Sequence, residues 1–142
     1  EEELKEFSIL FLVVNNLDIF RKNIELISDI TLSNDLMIEF KQKLTEYLMS
    51  EKFFDKKKIE PGDFDVKYRK IIHLINMNAP VKIISKNKSE KEIISIFNEI
   101  IAEIKKVDLR KKIESLEDKV SLNLDEKLYS ELLSLRNQLK GG

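Results

Sequence analysis

The chain has no cysteine and no tryptophan, a single histidine, three glycines and two prolines in 142 residues. Without cysteine there is no disulfide framework, no thiol nucleophile and no thiolate zinc site. One histidine, His73, cannot assemble the three or four nitrogen or sulfur ligands that zinc takes. Two of the glycines close the chain, so Gly62 alone serves residues 1–140. A phosphate-cradling loop of the G-x-x-x-x-G-K-[ST] or G-x-G-x-x-G kind is therefore impossible. No metal and no cofactor is expected. A sheet needs many turns, and glycine and proline supply them. Their scarcity favours few, long helices.

Charge of one sign is also missing. Twenty-five basic residues face 26 acidic ones, for a net charge of -1. A protein that lives by phosphate contacts usually carries a basic excess, so direct nucleic-acid binding is expected to be weak or absent. The longest apolar run, Ile9 to Val14, falls far short of the ~20 residues of a membrane helix. The acidic start, Glu1-Glu2-Glu3, has the wrong sign for a signal peptide. A cytoplasmic location without membrane contact is the expectation.

What is present is helical periodicity. Residues 2–14 are apolar nearly all round, the mark of a central helix; a buried strand is the alternative for so short a run. Helices follow over 17–28, capped by Asn16 with Phe20, Ile24 and Ile27 inward, and over 34–49, capped by Ser33 or Asn34. The latter carries Leu36, Phe40, Leu44, Tyr47 and Leu48 inward and Lys41, Lys43 and Glu46 outward. A polar connection occupies 50–62. A fourth helix runs from Asp63 to about Asn78, ended by Pro80, and 81–88 form a short connector.

Ser89 and Glu92 match a capping box opening one long helix, 89–120, and Asn123 with Glu126 repeats the pattern for a last helix, 124–139. In the long helix Ile93, Phe97, Ile100, Ile104 and Val107 form one stripe. Leu109, Ile113, Leu116 and Val120 form another, slipped by two residues, or roughly 200°. This predicts an all-α fold: a helical bundle over 1–106, then a C-terminal hairpin over 107–142. The two share one long helix, bent or changing packing partner near 107–109. Leu124, Leu128, Leu132, Leu135 and Leu139 supply the hairpin's second stripe.

Little in the chain suggests chemistry. His73 lies at the edge of its helix's stripe, with no identifiable nucleophile nearby. Asp63 and Asp65 read as helix-capping carboxylates. Lys56-Lys57-Lys58 and Arg110-Lys111-Lys112 lack the interleaved aromatics of a single-strand platform. The last helix has a second face, Tyr129, Leu133, Arg136 and Lys140, with the composition of an interface hot spot. The same Tyr129 and Leu133 could instead widen the hairpin contact.

Three segments carry a family resemblance: Lys5–Asp18 (KEFSILFLVVNNLD), Phe97–Ile104 (FNEIIAEI) and Leu124–Lys140 (LDEKLYSELLSLRNQLK). With the order of elements, they resemble the C-terminal domain of bacterial DnaG-type DNA primases. The match departs at Asn16-Leu17, where that family often has a proline. The resemblance implies a fragment of a larger primase whose zinc-binding and polymerase modules lie upstream. It implies a non-catalytic domain that binds the N-terminal domains of the hexameric, DnaB-type replicative helicase in the primosome. It also favours Tyr129, Leu133, Arg136, Asn137, Gln138 and Lys140 as partner-binding residues. The N-terminal domain of the helicase itself, and an unrelated helical adaptor, are the alternatives. An enzyme built on carboxylates is a more distant one.

Overall fold

The computed structural model describes residues 2–51, 55–78, 80–122 and 125–141. The fold is all-α, with no strand among the described residues. The chain divides into two compact units, residues 1–101 and 102–142. The division falls five residues before the boundary of 106 read from the sequence.

Helix α1 (Glu2–Val14) is the centre of the first unit. Every residue from Glu6 to Val14 is buried, because α2 (Leu17–Lys22), α4 (Val66–Asn78) and α5 (Val81–Ile84) all pack on it. The segment is a helix, not a strand. Its two buried polar side chains are satisfied. Ser8 donates to the Leu4 carbonyl at 2.8 Å. The Glu6 carboxylate, 4% exposed, accepts from the Ser33 backbone N–H and from the Ser33 hydroxyl at 3.0 Å.

The C-terminal end of α1 shows why backbone accounting matters. Asn15 and Asn16 donate their side-chain amides back to Phe11 and Leu12 carbonyls, and Asn15 also bonds Asn76 at 3.1 Å. Asn16 is thus the N-cap residue of α2 without capping it through its side chain. The task falls to the connection before α4. Its Lys57 carbonyl accepts from Leu17 N–H at 2.8 Å, and its Ile59 N–H donates to the Val14 carbonyl at 2.7 Å. Ile59 is buried as a result, although its segment reads as polar.

The helix expected over 17–28 is shorter. Its α form ends at Lys22 and a 3-10 helix continues over Ile24–Asp29. Asn23 makes the break: its side chain bonds back to the Ile19 carbonyl at 2.8 Å, competing with the helical ladder. Phe20 and Ile27 are inward as expected, while Ile24 is half-buried.

Asn34, not Ser33, caps α3 (Asp35–Met49), accepting from Leu36 and Met37 N–H. Ser33 is taken by Glu6. Met37 joins Phe40, Leu44, Tyr47 and Leu48 in the core, and Leu36 is half-buried. Lys41, expected outside, is half-buried and donates to the Ile30 carbonyl. Asp63 belongs to a 3-10 turn, Pro61–Asp63, whose capping box it forms with Glu60, so α4 begins later than expected, at Val66. Phe64 follows this turn and closes an aromatic cluster with Phe40, Tyr47 and Tyr68, at centroid separations of 5.3–6.4 Å.

The expected connector after Pro80 contains α5, followed by a turn through Asn87. Asn87 has φ 59°, a left-handed conformation that asparagine tolerates better than most residues. Helix α6 (Glu90–Leu122) then opens on the expected capping box. Ser89 N–H donates to Glu92 at 3.1 Å, and Glu92 N–H donates to the Ser89 hydroxyl at 3.2 Å. Its first buried positions are Ile93, Phe97, Ile101 and Ile104, with Ile101 in place of Ile100 and Val107 only half-buried. Phe97 packs against Phe20 with ring centroids 5.1 Å apart and the planes tilted by 52°.

In the second unit Ile113, Leu116 and Leu132 form a small core. Leu109, Val120, Leu128, Leu135 and Leu139 pack against it. The last helix, α7, spans Glu126–Gly141. Asp125 caps it, accepting from Lys127 N–H at 2.8 Å. The expected cap Asn123 and the first stripe residue Leu124 lie outside the described residues.

Candidate functional site: the exposed face of the terminal helix

The apolar stripe of α7 recurs at 128, 132, 135 and 139, steps of four, three and four that keep one face against α6. Tyr129, Leu133, Arg136 and Lys140 follow each of those positions by one residue. They therefore sit about 100° around the helix, beside the packed face. The side chains accord with that geometry: Tyr129 is 51% exposed and Leu133 42%. Asn137, Gln138 and Lys140 are exposed as well. Asp125, Glu126 and Ser130 line a shallow depression beside Tyr129.

Arg136 is engaged. Its Nη2 donates to Glu117 Oε1 at 2.8 Å, tying α7 to α6. Both side chains are nearly half exposed, so the pair contributes little stability, about 0–1 kcal/mol. Arg136 lies on the face its spacing predicts, and Glu117 is a partner that this spacing does not name. The signal was there: Glu117 follows the core residue Leu116 by one, as Arg136 follows Leu135.

His73 is exposed, as its place at the edge of the α4 stripe suggested. Asp63 bonds Lys56 and the Glu60 backbone. No group of three or more His, Cys, Asp or Glu residues that could hold a metal occurs among the described residues. The described groups with displaced titration are explained by fold contacts. Burial pushes the Tyr47 phenol up, the bond to Asp63 raises Lys56, and the bond to Glu39 raises Lys67. The Ser89 backbone N–H lowers Glu92.

No helix among the described residues is long and apolar enough to cross a membrane. What is built on the second unit is therefore a helix face with an exposed tyrosine and leucine. No protein-family model, curated protein or solved structure matches the chain.

Proposed function

We propose that this is a protein-interaction domain that works by presenting a helix face, not by catalysis. More particularly, it is the helicase-binding domain of a bacterial DNA primase, and its partner is the N-terminal domain of the replicative helicase. Its role is to hold the primase at the fork, raising the local concentration of the catalytic modules near unwound template.

The observation that carries the reading is Tyr129 beside Leu133, exposed on a helix whose other stripe already packs against α6. Tyrosine supplies a large contact area with few rotamers to lose, and aromatic residues dominate interface hot spots. The helical recognition mode needs nothing else from the fold than a rigid face. The resemblance of Lys5–Asp18, Phe97–Ile104 and Leu124–Lys140 to the primase domain supplies the partner's identity.

A pull-down of the purified chain with the helicase N-terminal domain of the same organism tests the reading. Retention at micromolar concentration is expected. Failure of that domain to bind at any salt concentration would refute the helicase assignment.

A further inference from the structure

Charge that nearly cancels over the whole chain does not cancel locally in the second unit. Between residues 102 and 112, Lys105, Lys106, Arg110, Lys111 and Lys112 stand against Glu103 and Asp108. The facing end of α7 adds Arg136 and Lys140, an excess of five positive charges in the sequence and of four once Arg136 is set against its partner Glu117. Between 113 and 135, six carboxylates stand against Lys119 and Lys127, an excess of four negative charges. The two helices run antiparallel here. Lys105, Lys106 and Leu109 line one depression together with Gln138 and Leu139, which brings the basic stretch of α6 to the C-terminal end of α7.

Helix dipoles explain half of this. In α7 the acids Asp125 and Glu126 lie at the N-terminal end and Lys140 at the C-terminal end, as the dipole favours. The first turn of α6 likewise carries Glu90 and Glu92, and its last turn Lys119. The cations at 105–112 sit in mid-helix, beyond the turns where the dipole acts, so the dipole does not account for them. Lys105, Lys106, Arg110 and Lys112 are exposed, and only Leu109, Leu139 and Ala102 give the depression apolar floor.

We propose that this basic end is a second interaction surface, for the phosphate backbone of a nucleic acid. It has long flexible cations and no aromatic platform, so it would hold phosphates without reading bases. The contact is weak and salt-sensitive, and it requires no protein partner.

The test is fluorescence anisotropy of a labelled short oligothymidylate with the full chain. Affinity should fall with salt between about 50 and about 200 mM, with a log–log slope of about −2 to −3, corresponding to three or four phosphates on a single strand. Replacing Lys105, Lys106 and Arg110 together by Gln should weaken binding about tenfold and flatten the slope by about 2, one cation per phosphate. The same charge removed from the first unit, at Lys70, Lys82 and Lys86, should change affinity by less than about twofold. Lys105→Arg with Lys106→Arg should retain binding, and circular dichroism should show unchanged helicity in every variant. No binding at the lowest salt, equal losses in the two triple variants, or displacement of the oligonucleotide by polyglutamate as readily as by unlabelled oligonucleotide would each overturn the proposal.

Discussion

The Glu6 carboxylate, buried on α1 and accepting two bonds from Ser33, fixes the entry to α3. Glu6→Ala leaves the Ser33 N–H without its acceptor in a part-buried position. It should cost about 1–3 kcal/mol, read as a lower urea midpoint with an unchanged slope. Glu92 gives a pH-dependent counterpart. Its folded-state value is lowered from the ordinary 4.5 by the Ser89 N–H. A lowered carboxylate stabilises the fold above the unfolded value and loses that contribution as pH falls through the folded one. The stability difference between wild type and Glu92→Gln should therefore shrink on acidification from neutrality to below pH 4.5. A constant difference over that range would contradict the assignment. The cap at Ser89 and Glu92 was legible because both partners are three residues apart. The Glu6–Ser33 bond was not, since its partners are 27 residues apart and neither announces a role alone.

At the scale of elements, periodicity was a good guide wherever a helix keeps its own hydrogen bonds. Helices α1, α3 and α6 have close to the expected bounds. It failed where polar side chains divert the backbone, at Asn23 and around Pro61–Asp63. In α6 the buried positions Ile93, Phe97, Ile101 and Ile104 step by four, four and three. Ile113 follows nine residues after Ile104, half a turn away on a regular helix. Lys111, where the first stripe would continue, is exposed. The register change in the sequence thus marks a change of buried face, and the two parts of α6 can be probed separately. Phe97→Ala removes a fully buried ring packed at a tilt against Phe20 and should cost about 3–5 kcal/mol of stability. Leu132→Ala empties the centre of the small hairpin core and should cost about 2–5 kcal/mol, seen as early loss of amide protection in 109–139. Equal protection loss in both units after Leu132→Ala would contradict separate cores.

At the scale of the whole molecule, the candidate site was partly legible. The offset of Tyr129 and Leu133 from the leucine stripe followed from counting. The Glu117 partner of Arg136, and the meeting of the basic stretch of α6 with the C-terminal end of α7, depend on which helix ends meet, which spacing within one helix does not reveal. Arg136 is consequently a poor probe of partner binding, because its removal also breaks an internal pair. Tyr129 is the better one, since it lies outside the hairpin core. The most direct measurement is a calorimetric titration of the helicase N-terminal domain into wild type, Tyr129→Ala and a chain ending at residue 120. Tyr129→Ala should weaken binding by about 1–3 kcal/mol with helicity unchanged, and the truncation should abolish it while residues 2–101 stay folded. Undiminished affinity in the truncated chain would contradict the account, because it would place the contact on the first unit.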